Sequence, residues 1–118
     1  MQRQMMHGKI HRVTVTEACI DYPGSITIDK KLMDRADIFP HEKVLIANLT
    51  NGSRIESYAI PGPAGSGVIC LNGGAAKLGK AGDMVIILTF AVMSDQEARK
   101  HKPNIVYVDR KNRIVKKR

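Results

Sequence analysis

The triplet Pro23-Gly24-Ser25 could carry out chemistry on the chain itself. Proline presets φ and glycine tolerates a positive φ, so the triplet is typical of a turn. Glycine also leaves the carbonyl before Ser25 unshielded, and a serine hydroxyl that reached this carbonyl could convert the amide into an ester. A serine hydroxyl is a weak nucleophile, so the fold would have to supply a base and an oxyanion site. The triplet alone fits either a turn or self-cleavage.

Polar side chains on two predicted strands are candidates to support such a site. Lys9 and His11 are two residues apart and therefore share one face of a strand. Arg54 and Tyr58 share a face of a second strand, whereas Ser57 points the other way if that strand is regular. Each also fits a structural role, such as a solvated strand face for Lys9 and His11 or a core position for the tyrosine.

A third candidate is the loop that begins at Asn72 and continues as Gly73-Gly74-Ala75. Its backbone N–H groups resemble an anion-binding nest, although a Gly-Gly pair is weak evidence for one. No metal site is predicted, because the histidines lack the spacing of zinc ligands. These histidines are His7, His11, His41 and His101.

The composition favours one small domain with an aliphatic core. The chain has 118 residues and is 43% hydrophobic, with three Tyr, two Phe and no Trp. Cys19 and Cys70 lie far apart and favour free thiols in a reducing compartment. No apolar run approaches the ~20 residues of a membrane helix, and residues 1–7 lack the apolar core of a secretory signal. We therefore expect a cytoplasmic protein with no membrane partner.

The positive charge is concentrated at the end of the sequence. Residues 110–118 carry six of the net eight positive charges, which leaves +2 for residues 1–109. Such tails are usually solvated and mobile, and no aromatic residues interleave with these charges. We predict a single domain over residues 1–109, a disordered tail over residues 110–118, and no nucleic-acid partner.

Hydrophobic alternation and turn signals predict six or seven short strands with two or three helical turns between them. Asp29 is predicted to cap a helix over residues 30–36, and Ser94 a second helix. Asn51-Gly52 predicts a hairpin, and the apolar segment 84–92 predicts a strand buried on both faces. This pattern indicates a mainly β barrel or sandwich, and periodicity does not choose between them. The predicted strands cover residues 6–16, 25–28, 43–49, 54–60, 68–71, 84–92 and 104–109.

Taken together, seven short segments resemble those of the bacterial aspartate 1-decarboxylases, a family of pyruvoyl enzymes. They follow the family's order and spacing over nearly the whole chain, and only the basic tail falls outside. Two positions depart from the family, which usually has threonine at Ser57 and often alanine at Gly74. Serine keeps the hydroxyl but loses the methyl that restrains χ1, so we expect slower processing, and glycine should loosen the loop. The segments are residues 7–13, 22–25, 51–54, 58–60, 72–76, 82–87, and 97–99 with 103–104.

The resemblance implies a small six-stranded double-psi β-barrel with short helices, assembled as a homotetramer with active sites between neighbouring subunits. It implies that the Ser25 hydroxyl attacks the Gly24 carbonyl and divides the chain into residues 1–24 and 25–118. A pyruvoyl group, derived from Ser25, would then begin the larger piece. Ser57 and Asn72 are the implied helpers of this processing. The sequence leaves open whether cleavage is spontaneous or needs a maturation factor.

The implied reaction is the decarboxylation of L-aspartate to β-alanine and CO2, for the biosynthesis of pantothenate and hence coenzyme A. The pyruvoyl ketone would form a Schiff base with the substrate, and Tyr58 would donate the proton. Two alternatives stay open: an uncleaved barrel whose tail binds an acidic partner or nucleic acid, and a pyruvoyl decarboxylase of another amino acid such as glutamate. The expected substrate-binding groups are Lys9, His11, Arg54, Ser57 and the backbone N–H groups of Gly73, Gly74 and Ala75.

Overall fold

A computed structural model describes residues 1–116, and within this range the chain is mainly β, as predicted. Two short helices, α1 (Lys30–Ala36) and α2 (Asp95–Lys100), and a 3-10 turn (Gly73–Lys77) lie between the strands. In this part of the chain neither helix is long and apolar enough to cross a membrane. Residues 1–116 form nine strands: β1 (Gln2–Thr14), β2 (Glu17–Cys19), β3 (Ser25–Asp29), β4 (Lys43–Asn48), β5 (Arg54–Gly62), β6 (Ile69–Asn72), β7 (Met84–Ser94), β8 (Asn104–Val108) and β9 (Ile114–Val115).

The strands pair in the order β2-β6-β3-β5-β4-β7-β1-β8-β9. β3 runs parallel to β5 on one side and antiparallel to β6 on the other. The expectation of six strands is wrong, partly because β2 and β9 have only three and two residues. Strands this short show no alternation that a sequence pattern could reveal. Closure of the strands into a double-psi barrel stays a prediction from the family.

A bulge in β1 explains how Ile10 and Val13 both reach the core. Residues three apart on a regular strand point to opposite faces. The pairing of β1 with β7 shifts register between Ile10 and Val13, and Arg12 in between has a φ of 64°. The extra residue of the bulge reverses the alternation, so both apolar side chains are fully buried. Lys9 and His11 flank Ile10 and therefore face away from the core.

β7 is not buried on both faces, contrary to the prediction. Val85, Ile87 and Thr89 are buried, whereas Ile86 and Leu88 between them are only partly covered. β7 pairs antiparallel with both β1 and β4. Antiparallel sheets commonly cover one face only, and continuous burial is a property of parallel sheets. The apolar run of β7 therefore leaves one side of the strand partly open.

Asp29 begins α1 and ties the helix to the loop after β5. Its Oδ1 accepts hydrogen bonds from the backbone N–H groups of Lys31 at 2.8 Å and Gly65 at 2.9 Å. Its Oδ2 accepts a third, from Gly67 N, at 2.8 Å. α1 packs against β1, β3 and β8. The predicted helix cap is thus confirmed, and the predicted capping box at Ser94 is present at the start of α2.

Residues 110–116 contact the sheet in a segment for which the charge composition predicts a disordered tail. Asn112 is 2% exposed and accepts a hydrogen bond from Thr14 N at 2.8 Å. It also donates to Thr14 O and Gly67 O, each at 2.8 Å. β9 then pairs with β8. Charge composition cannot reveal one buried asparagine among exposed basic residues. The last two residues of the predicted tail, 117 and 118, lie outside the described range.

Replacing Asn112 with glycine should lower the free energy of unfolding by about 2–4 kcal/mol, because one N–H and two carbonyl groups lose buried partners. Glycine accepts the left-handed backbone of this position, where φ is 61°, so no strain is added. Urea unfolding measures the change. Lys111→Ala is the matched control and should shift stability by less than about 0.5 kcal/mol, since its side chain is exposed. Equal stability of the two variants would contradict an anchoring role for Asn112.

Candidate active site

Ser25 lies where an exposed turn meets the buried start of β3. Residues 21–24 are exposed, whereas Ser25 is 0% exposed. Its Oγ donates a hydrogen bond to Pro23 O at 3.3 Å and accepts one from Asn72 Nδ2 at 2.9 Å. The serine that follows the predicted turn is therefore enclosed, and its hydroxyl has a partner on each side.

Asn72 is the residue through which β6 holds Ser25. The two residues are direct partners in the antiparallel pairing of β3 with β6. Asn72 Nδ2 also donates to Thr27 Oγ1 at 2.9 Å, and Asn72 Oδ1 accepts from the Cys70 thiol at 3.2 Å. With Asn72 only 2% exposed, these three contacts fix its amide inside the protein and direct an N–H at Ser25.

Burial raises the pKa of the Cys70 thiol, and the nearby charges of Glu17 and Cys19 raise it further. Both neighbours lie on β2, where Glu17 pairs with Cys70 and Cys19 pairs with Asn72. A raised pKa keeps the thiol protonated at neutral pH. Cys70 is therefore a hydrogen-bond donor to the amide oxygen of Asn72.

Gly73 packs directly against the peptide that precedes Ser25. Its φ is +60°, and a Cβ at this position would lie 2.7 Å from Gly24 Cα and 2.8 Å from Gly24 N. Only glycine allows this backbone conformation and this approach together. A Cβ at Gly74 meets no atom within 4 Å, so the alanine that the family often has there would fit. A Cβ at Gly24 is equally unobstructed, so space alone does not require glycine before Ser25.

β5 brings Tyr58 and Ser57 level with the Gly24–Ser25 bond. In the parallel pairing of β3 with β5, Ile26 lies opposite Ala59. Counting back one residue on each strand puts Tyr58 beside Ser25, on the face of the sheet that points away from the core. Ser57 is one residue further back and faces the other side of β5, as expected for a regular strand.

Arg54 shares the exposed face of β5 with Tyr58. They are four positions apart, which corresponds to about 13 Å along an extended strand. The ring of Tyr58 lies 6.3 Å from the ring of His41, in a stacked arrangement. Within one chain Arg54 is therefore a neighbour of the site rather than a contact of Ser25.

Lys9 and His11 lie on a strand that does not pair with β3. They lie on β1, and β5, β4 and β7 stand between β1 and β3 in the strand order. Their partners on β8 are Ile105 and Tyr107, and the His11 ring lies 5.7 Å from the Tyr107 ring. The strand pairing therefore does not by itself place Lys9 or His11 next to Ser25.

His7 and His101 pair with neighbouring groups and with each other. His7 Nε2 lies 2.7 Å from Asp37 Oδ2, and the His7 ring stacks on the His101 ring at 5.9 Å. His101 Nε2 bonds Met6 O at 2.8 Å. Across residues 1–116, no three His, Cys, Asp or Glu side chains are grouped so that they could hold a metal ion.

Cys70 and Thr27 contact Asn72, and sequence reasoning did not single them out. Thr27 is two residues after Ser25, and Cys70 is two residues before Asn72, so each shares a strand face with its neighbour. This spacing was visible in the sequence. The antiparallel pairing of β3 with β6, which brings the four side chains together, was not.

Gly73→Ala should destabilise the protein by more than about 2 kcal/mol, because alanine is strained at a positive φ and its Cβ meets the Gly24 backbone. Gly74→Ala should instead stabilise it by about 0.4–1 kcal/mol, since the unfolded chain loses freedom while the folded chain has room. Urea unfolding of both variants measures this contrast. Two variants of equal stability would show that the 3-10 turn does not pack on Gly24 as described.

Comparison with known proteins shows to which family the chain belongs. The sequence model of the aspartate decarboxylase family matches residues 1–115. The chain is 56% identical over 112 residues to a protein of Dehalococcoides mccartyi named aspartate 1-decarboxylase, covering 95% of this chain and 90% of that relative. Relatives with the same name in Heliobacterium modesticaldum (55% over 115 residues, 98% and 87% covered) and Listeria monocytogenes (56% over 114 residues, 97% and 90% covered) are equally similar. The chain belongs to the aspartate decarboxylase family.

Proposed function

We propose that the protein is an aspartate 1-decarboxylase, which converts L-aspartate to β-alanine and CO2 after cleaving its own Gly24–Ser25 bond. The observation that carries this proposal is the buried Ser25 hydroxyl, which sits 2.9 Å from Asn72 Nδ2 directly after an exposed glycine. The relatives named for this activity support it. The β-alanine would serve pantothenate and coenzyme A biosynthesis, in the cytoplasm.

In the proposed cleavage, Ser25 Oγ attacks the carbonyl carbon of Gly24. A C–O bond forms and the peptide C–N bond breaks, so an ester joins Gly24 to the side chain of residue 25. The nitrogen of that residue takes up the hydroxyl proton and becomes a free amine. Elimination then removes the Cα proton and breaks the Cβ–O bond, which leaves a carboxylate on Gly24 and dehydroalanine at position 25. Water replaces the nitrogen of that residue, and ammonia departs.

Asn72 assists the first step through its position on Oγ. The hydroxyl proton of Ser25 points towards Pro23 O, and the Asn72 N–H bonds the same oxygen from another side. A donor fixed on an oxygen stabilises the negative charge that develops there when the proton leaves, particularly in a buried site. Ser57, level with Gly24 on β5, is the second proposed helper of processing.

The residues around position 25 fit the pyruvoyl group that the family implies. When present, a pyruvoyl group supplies the electron sink for decarboxylation. Position 25 is buried and already faces an amide N–H donor, which suits a carbonyl oxygen as well as a hydroxyl. The group is made from the chain itself, so no separate cofactor pocket is needed.

L-Aspartate carries two carboxylates, so the proposed site needs cations. Arg54 suits a bidentate carboxylate clamp, and Lys9 supplies a second positive charge. His11 orients the substrate, and Tyr58, beside Ser25 on the outer face, donates the proton that replaces CO2. The remaining substrate oxygens meet the backbone N–H groups of Gly73, Gly74 and Ala75.

The same proposal includes a homotetramer with active sites between subunits. Its support is the separation of Lys9 and His11 from Ser25 by three strands of one chain. All three residues lie on strand faces that point away from the core, so a second copy can bring the outer face of β1 to β3 and β5. Exposed apolar side chains on β7, Phe90 at 40% and Val92 at 64%, give such an assembly surface to bury.

Ser25→Ala should abolish both chain cleavage and decarboxylation, because the attacking hydroxyl is lost. Denaturing mass spectrometry and β-alanine formation from L-aspartate measure the two effects. Ser66→Ala is the matched control: its hydroxyl also donates to a proline carbonyl, at 2.6 Å, but on an exposed loop. Decarboxylation by Ser25→Ala, or a wild-type enzyme that turned over L-glutamate and not L-aspartate, would contradict the proposal.

Tyr58→Phe should leave cleavage unchanged and lower kcat by about 10²–10⁴-fold, the usual contribution of a positioned proton donor. The Tyr58 hydroxyl acts only after the chain has been cleaved. The masses of the two pieces in each sample are therefore an internal control for normal cleavage. Single-turnover assays with L-aspartate measure the loss. A variant that cleaved normally and kept wild-type kcat would remove Tyr58 from the reaction.

A further inference from the structure

We propose that Cys70 is a positioning residue for chain cleavage: its thiol holds the Asn72 side chain in the orientation that presents an N–H to Ser25. The inference rests on the proposed function, in which Ser25 Oγ attacks Gly24. It concerns a residue that makes no contact with Ser25 and acts only through Asn72.

Orientation matters because the two ends of an asparagine amide have nearly the same shape and opposite hydrogen-bonding character. The hydroxyls of Ser25 and Thr27 both donate and accept, so each tolerates either end of the amide. Donation from Ser25 to Pro23 O gives a preference, but at 3.3 Å this contact is long. Another group must therefore decide which end of Asn72 faces Ser25.

The Cys70 thiol is that group. It lies 3.2 Å from Asn72 Oδ1, whereas the other acceptor near it, Leu71 O, is 3.9 Å away, at the outer limit for sulfur. A protonated thiol offers a donor to the amide oxygen, but sulfur is a poor acceptor for the amide nitrogen. Burial of Cys70, at 6% exposure, strengthens this preference because little water competes for either end.

The reversed amide would be unproductive. The amide oxygen would face Ser25 Oγ and accept a hydrogen bond from the hydroxyl. The N–H that stabilises the developing charge on Oγ would instead point at the Cys70 sulfur. Loss of the thiol donor should therefore slow cleavage by increasing the reversed population. In the productive form Thr27 Oγ1 accepts the second N–H of Asn72 at 2.9 Å.

The test compares the rate of Gly24–Ser25 cleavage in freshly purified wild-type, Cys70→Val and Cys70→Ser chains. Valine has nearly the shape of cysteine and no donor, and serine restores a donor. We expect cleavage about 10-fold slower in Cys70→Val and within about 3-fold of wild type in Cys70→Ser. Cys19→Ala is the matched control, since this exposed cysteine pairs with Asn72 through the backbone only. Denaturing mass spectrometry follows the cleavage, and thermal unfolding of each precursor monitors stability.

If Cys70 had a purely structural role, the cleavage rates of the variants would follow their thermal stabilities. Serine buries a polar group where cysteine stood, so Cys70→Ser should then be the less stable and the slower of the two variants. That ranking would overturn the inference about Cys70 and leave the proposed function standing. Cleavage at the wild-type rate in a folded Cys70→Val chain would do the same. If Cys70→Val does not fold, Cys70→Ala takes its place with the same expectation. A wild-type chain that never cleaves would overturn the proposed function and this inference with it.

Discussion

The hydrogen bond from Asn72 Nδ2 to Ser25 Oγ, 2.9 Å long and buried, is the constraint around which the candidate site is built. It exists because β3 and β6 are antiparallel and pair these two residues directly. It can be short only because Gly73, the next residue after Asn72, has no Cβ to hold β6 away from Gly24. Because the bond is buried, the Asn72 N–H can stabilise charge on Ser25 Oγ far better than a donor in water could.

Two further strands carry the other candidate side chains of the proposed site. β5 runs beside β3 and carries Tyr58 on its outer face, level with Ser25. β1 carries Lys9 and His11 on its own outer face, three strands away. In the proposed function these cations bind a substrate with two carboxylates close to Ser25, and assembly of identical chains is the proposed way to bring them there. The partly open face of β7 is consistent with such an assembly.

Much of this could be predicted from local sequence. The turn before Ser25, the cap at Asp29 and the capping box at Ser94 depend on neighbouring residues. Features that depend on pairing between distant strands could not be predicted. The bulge at Arg12 reverses the alternation of β1, the antiparallel partners of β7 uncover one of its faces, and Asn112 orders a segment whose composition indicates disorder. The contact of Cys70 with Asn72 could not be predicted for the same reason, because it concerns Ser25 only once β6 pairs with β3.

The central claim is that Ser25 attacks the peptide before it, and the mass of the purified wild-type protein under denaturing conditions tests this most directly. The account predicts two pieces, residues 1–24 and residues 25–118, with the larger piece lighter than a chain that begins with serine by the mass of one ammonia. A single species of 13.0 kDa that persists through warm incubation and addition of host extract would contradict it.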